Sequence, residues 1–210
     1  MVKLSLSNIK KQNWLQFFIL ILLGVLLTGG FGILQHQKVQ AFELPQESVE
    51  ISSNNWQYAS FPVENFQSYS SPFGYRISPT GGTSKEFHKG LDIVAPMGSY
   101  VRNWWTGTVV SLSDNTACGT SIQIKSGDWL HIYCHLKGNV KISGNSRYLN
   151  DTEGGIQLWL GEEIPVGARI GRIGMTGRTT GPHLHWGLKY AGKYVDPGLV
   201  LQEMYKGQSA

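Results

Sequence analysis

The first 41 positions contain no acidic residue, the whole chain holds only two cysteines, and sustained helical periodicity is nearly absent from its 210 residues. Each shortage excludes something. The formal charge of +4 invites a nucleic-acid reading. However, Lys3, Lys10, Lys11 and Lys38 stand unopposed in the acid-free segment, and setting those four aside leaves 14 basic against 14 acidic residues. The basicity belongs to the N-terminus and not to a binding face, so no DNA or RNA partner is expected. Neither G-x-G-x-x-G nor G-x-x-x-x-G-K-[ST] occurs, and no helical pattern follows Gly171, Gly174, Gly177 and Gly181. Those glycines are therefore read as turn formers that let a loop run close to a cleft, not as a phosphate cradle.

Charge is also missing from Gln12 to Gln37, a stretch that includes an unbroken apolar core from Phe17 to Leu27. After a positive start, this is an export signal. Its length suits a signal-peptide core, and Val39-Gln40-Ala41 offers the small-residue pattern of a cleavage site. Residues 14–34 also approach the ~20 residues that span a bilayer, so a membrane anchor with its basic end in the cytoplasm stays open beside cleavage. Either way the remainder is expected outside the cytoplasm, as a secreted or periplasmic protein or one anchored to the outer face of the cytoplasmic membrane. Cys118 and Cys134 fit that compartment. A disulfide between them is expected, contributing about 3 kcal/mol in the chain-entropy model; the alternative is two buried thiols acting as small hydrophobes.

Three regions follow: a signal peptide or anchor at 1–41, a linker or loosely attached arm at 42–66, and one domain at 67–210. From about Ser71 the sequence breaks into short β-rich runs bounded by Gly, Pro, Asn and Asp, which predicts an all-β domain. Strands are expected at residues 100–103, 106–112, 121–125, 129–136 and 184–190, the third and fourth joined by a hairpin around Gly127. Alternation along the fourth places His131, Tyr133 and His135 on one face, with Cys134 behind them. Carrying that hairpin register on pairs Cys134 with about Ser121, so a disulfide needs the chain to fold back at Gly119. Residues 138–161, polar and glycine-bearing, are expected as a surface insertion.

Five histidines follow the N-terminal segment, and four of them fall in three islands with an aspartate: F-H-K-G-L-D (His88, Asp92), Y-C-H-L (His135) and G-P-H-L-H-W (His183, His185). Catalytic zinc takes three protein ligands of these types and keeps a position open. The four-residue spacing of His88 and Asp92 puts them on one side, and Gly90 between them argues against a helix. Alternation points His183 and His185 the same way, so one can bind metal while the other stands beside it. A lone strand histidine or a single H-x-x-x-D would carry little weight. The combination carries much more.

These islands, with S-P-F-G-Y-R (71–76) and Y-V-D-P (194–197), resemble the lysostaphin-type, LytM-like zinc metallopeptidases, which cut peptide cross-links of bacterial peptidoglycan. The resemblance runs from about Ser71 to Leu201. It implies a largely antiparallel all-β domain with a substrate groove over one sheet face, zinc held by His88, Asp92 and His185, with His135 and His183 as catalytic histidines off the metal, and peptidoglycan stems or cross-bridges as substrate. Cys134, where the family usually carries a small residue, and the length of 138–161 depart from the pattern. No H-E-x-x-H glutamate is present, so histidine must supply the base. Two rivals remain: a non-catalytic zinc fold that binds murein or activates another hydrolase, and a carbohydrate-binding module using Trp104, Trp105, Trp159 and Trp186. Aromatics are more often core.

Overall fold

The computed structural model describes residues 57–209 apart from 80 and 82. The expected export segment and residues 42–56 lie outside the described residues. The strands run β1 (Ser68–Ser71), β2 (Gly74–Ile77), β3 (Lys85–His88), β4 (Leu91–Val94), β5 (Tyr100–Arg102), β6 (Gly107–Ser113), β7 (Ser121–Ser126) and β8 (Trp129–Cys134). They continue with β9 (Asn139–Ser143), β10 (Ser146–Asp151), β11 (Ile156–Trp159), β12 (Glu163–Ile164), β13 (Arg169–Arg172), β14 (Leu184–Tyr190) and β15 (Lys193–Val195), and a helix α1 (Pro197–Gln208) closes the chain.

One antiparallel sheet organises the domain in the order β1-β4-β14-β8-β7-β6-β12, with β15 pairing the far half of β14 beyond β4. Its register explains its two faces. Ile122 lies opposite Tyr133, Ile124 opposite His131, and Leu188 opposite His131 from the other side. Residues directly across an antiparallel pair share a face, so these side chains, with Leu184 and Trp186, form a single apolar layer. Trp104 and Trp186 are both fully buried there, their rings 5.8 Å apart and edge-on, which makes them core and not a sugar platform. The β7–β8 hairpin turns at Gly127-Asp128, as the sequence predicts.

Three local expectations change. Residues 138–161 are not simply surface: β9, β10 and β11 form their own sheet, and Leu149, Ile156 and Leu158 are buried in the core. The short, charged stretches hid apolar residues that alternate inward. A helix also appears where no period was seen. Asp196 caps it by accepting from the Gly198 backbone, Pro197 opens it, and Val200, Leu201 and Met204 are buried on its inner face. Residues 57–66, the described part of the expected arm, bury Ala59 and Val63 and bond to β5 and its flank through Ser60 N–H to Trp104 O and Glu64 N–H to Tyr100 O. Among the described residues no helix is long and apolar enough to cross a membrane; residues 14–34 lie outside them.

Candidate active site

The site forms where β3 ends and β4 and β14 begin, beside the segment after β8. His185 lies directly across from Asp92 on one side and from Cys134 on the other, so Asp92, His185 and Cys134 share the sheet face opposite the apolar layer. His88 arrives from the end of β3, and Gly90 makes room for the approach. A Cβ at Gly90 would lie 2.6 Å from the Trp186 carbonyl and 2.8 Å from the His185 ring.

The face assignment of His135 needs correction. Straight alternation from Tyr133 would send its ring into the apolar layer. Instead β8 ends at Cys134 and His135 takes φ 65°, the left-handed region, which turns its ring to the opposite side. There it stands 4.9 Å, centroid to centroid, from His183 and 6.1 Å from His185. His131 and Tyr133 stay in the core. Cys134 lies on the site side, bridged to Cys118 with a Cα separation of 4.9 Å, and the chain folds back at Gly119 with φ 61°. The expected disulfide is present; its place behind the His135 face is not.

Hydrogen bonds to backbone carbonyls fix three tautomers. His88 Nδ1–H donates to Pro72 O (2.7 Å), His135 Nδ1–H to Thr176 O (2.8 Å) and His183 Nδ1–H to Gly181 O (2.9 Å). Each neutral ring therefore offers a bare Nε2. His88 Nε2 lies 3.0 Å from Asp92 Oδ1 and 2.9 Å from His185 Nδ1, and His185 Nδ1 lies 2.9 Å from the same Asp92 oxygen. Two acceptor lone pairs, on His88 Nε2 and Asp92 Oδ1, then face each other, an arrangement that repels unless a cation or a proton lies between them. Imidazole, imidazole and carboxylate form a donor set that fits a catalytic zinc.

Charge around the point is uneven. Burial would raise the Asp92 pKa, but His183, His185 and His88, which donate to the carboxylate whenever they carry a proton on the nitrogen facing it, outweigh burial and hold the carboxyl well below the usual carboxylate range. Its other oxygen accepts from Arg76 at 2.9 Å. Burial lowers His135 to about 4. Burial also opposes protonation of His183, yet Asp92 Oδ1 at 3.5 Å prevails and the net shift is upward. Burial lowers His185.

The cluster opens into a cleft of about 300 Å³ lined by Arg76, Ile77, Arg178 and Thr179 as well as Asp92 and three of the histidines. A second lobe of about 400 Å³ shares Arg76, His135, Arg178 and His185 with it, so the groove runs past the cluster on both sides. Every site residue expected from the sequence is therefore gathered in one place. Arg76 and Arg178 were missed as site residues, although Arg76 ends the S-P-F-G-Y-R motif and Arg178 lies in the glycine-rich loop.

Comparison with known proteins agrees with this geometry. The profile of peptidase family M23 matches residues 86–197. The DD-carboxypeptidase/endopeptidase Mpg of Neisseria meningitidis is 33% identical over 129 residues, 61% of this chain and 26% of its own length. The peptidoglycan DD-endopeptidase ShyC of Vibrio cholerae is 33% identical over 147 residues, 69% of this chain and 29% of its own. The chain thus spans less than a third of either curated relative. Among solved structures, the catalytic domain of the antimicrobial peptidase lysostaphin from Staphylococcus simulans is similar at 23% identity, a TM-score of 0.50 and coverage of 66% of this chain and 93% of that one. That likeness concerns the fold.

Proposed function

The chain belongs to peptidase family M23, and on that premise we propose that it is a zinc-dependent endopeptidase acting outside the cytoplasm on peptide cross-links of bacterial peptidoglycan. The observation that carries the reading is the convergence of His88 Nε2, His185 Nδ1 and Asp92 Oδ1 within about 3 Å of one another, beside two further histidines in an open groove. His88, Asp92 and His185 would hold the zinc. Bound there, zinc supplies a Lewis acid that polarises a water and the scissile carbonyl.

The two remaining histidines divide the proton work, because their surroundings push them apart. His135, lowered to about 4 by burial, stays neutral at neutral pH and presents Nε2 as a base, since Nδ1 keeps its proton on Thr176 O. It takes the proton of the attacking water and delivers it to the leaving amine. His183, shifted upward beside Asp92, takes a proton on Nε2 more readily than His135 does, and with that proton it donates to the developing oxyanion. Arg76, on the groove wall, holds the Asp92 carboxylate in place through its other oxygen.

The acid-free, apolar N-terminal segment supports export, as a signal peptide or an anchor at residues 1–41 followed by an arm over 42–66 and the catalytic domain at 67–210. The test is digestion of defined cross-linked muropeptides by the purified chain, with products mapped by mass spectrometry. Chelator-sensitive cleavage of a peptide bond, restored by zinc, is expected. Binding of muropeptides without any cleavage would instead indicate a non-catalytic murein-binding protein.

A further inference from the structure

His135 occupies a left-handed backbone conformation that a side chain bearing Cβ rarely adopts, at φ 65°. Something must hold it there. The segment 117–120 lies against it on one side and against the loop 174–178 on the other. From His135 the backbone N–H donates to Cys118 O (2.8 Å), and from the next residue Leu136 N–H donates to Thr120 O (2.9 Å). Towards the other loop, Ala117 O accepts from Arg178 N–H (2.8 Å) and Thr120 N–H donates to Thr176 Oγ1 (2.8 Å). Thr176 also supplies the carbonyl that takes the His135 Nδ1 proton. Gly119 and Gly177 approach so closely that a Cβ on either would collide with the backbone of the other's segment.

Gly119 and Thr120, the inner half of this clasp, are buried, but the stretch leading into it has little packing of its own. Asp114, Asn115, Thr116 and Ala117 are all exposed, and Cys118 is only partly buried. What fixes it covalently is the bond from Cys118 to Cys134, the residue immediately before His135, whose side chain is fully buried. Cys118 itself lines one lobe of the groove.

We propose that the Cys118–Cys134 disulfide is a positioning device for catalysis: it holds segment 117–120 as the clasp that keeps His135 turned into the site and Arg178 on the groove wall. As it bears on turnover, the inference rests on the proposed endopeptidase function. Cys118 and Cys134 act through His135, not on substrate. The bridge ties the site wall to the strand end, so its loss frees the clasp while leaving the zinc-binding residues on β3, β4 and β14 in place.

The experiment uses the full chain, wild type against Cys118→Ala/Cys134→Ala, with three readouts: zinc content, amide hydrogen exchange, and kcat and KM on a cross-linked muropeptide. In the variant, zinc stoichiometry, KM and the exchange protection of the core amides of Tyr133 and Trp186 should stay within about twofold of wild type. Protection of the His135 and Arg178 amides should fall at least tenfold, and kcat at least tenfold with it. Unchanged His135 protection, unchanged kcat, or an equal loss of protection at the core amides would overturn the proposal. Should the variant fail to fold, wild type reduced by a dithiol reagent, which is oxidised to its own disulfide as the two thiols form, is measured in the same way. Should the wild type cleave no muropeptide, the proposed function fails while the exchange readout still decides whether the bridge holds His135.

Discussion

Arg76 donates to Asp92 Oδ2 at 2.9 Å, while the other oxygen of the same carboxylate faces His88 and His185. The guanidinium is itself held by Glu86 and Ser71, so it fixes the carboxylate from outside the cluster. Outer partners of this kind orient a metal ligand and keep it ionised. Arg76→Gln should weaken zinc binding by roughly 10–100-fold, measured by competition with a chromogenic chelator, with activity recovering in excess zinc. Unchanged affinity would show that Asp92 needs no outer support.

Gly90 passes so close to β14 that a side chain there has nowhere to go. Gly90→Ala would press on the Trp186 carbonyl and on the His185 ring. A displacement of about 1 Å at a catalytic group costs on the order of 10² in rate, so kcat/KM should fall by about that factor in a variant that remains folded by circular dichroism. Wild-type kinetics would mean that β3 and β4 shift freely and that the close approach does not set the site.

His131 is the one histidine among the described residues that lies outside the cluster. It is fully buried, 4.9 Å from the Trp104 ring, and neither ring nitrogen has a hydrogen-bond partner. Burial lowers its pKa to about 3. Above the unfolded value of about 6.5 both states are neutral and the group makes no difference to stability. As pH falls below that value the unfolded chain takes up a proton that the folded one refuses, so stability declines towards about pH 3, by at most about 1.4 kcal/mol per pH unit. His131→Phe should flatten this decline. Between pH 7.5 and 4.5 the variant should gain about 1–3 kcal/mol on wild type in urea unfolding. Parallel pH profiles would remove His131 as the acid-sensitive group.

The all-β class and the cluster's composition were legible because both rest on local signals. Ile122-x-Ile124 and the run from Trp129 announce strands by alternation, and the histidine islands announce metal by residue type. What escaped depends on contacts between distant segments. The orientation of His135 cannot be read by counting along β8, because carbonyls of Cys118 and Thr176 hold it in a conformation that breaks the alternation. Arg76 enters the site through its ion pair with Asp92, 16 residues away. The helix α1 was a missed local signal: Asp196-Pro197 followed by Val200, Leu201 and Met204 is a cap and an apolar face. The insertion at 138–161 was misjudged since its average polarity concealed the inward positions Leu149, Ile156 and Leu158.

The division of labour between ligand and proton-transfer histidines is the centre of the proposed mechanism, and four single variants test it against one substrate. His135→Ala and His183→Ala should keep stoichiometric zinc and bind muropeptide while losing turnover by about 10² or more, the scale of removing a general base or an oxyanion donor. His88→Ala and Asp92→Ala should lose zinc and activity together. The decisive measurement is the turnover number of zinc-loaded His135→Ala and His183→Ala on a defined cross-linked muropeptide. A fall of about 10² or more with zinc retained is the expected result, whereas wild-type turnover in both would contradict the mechanism.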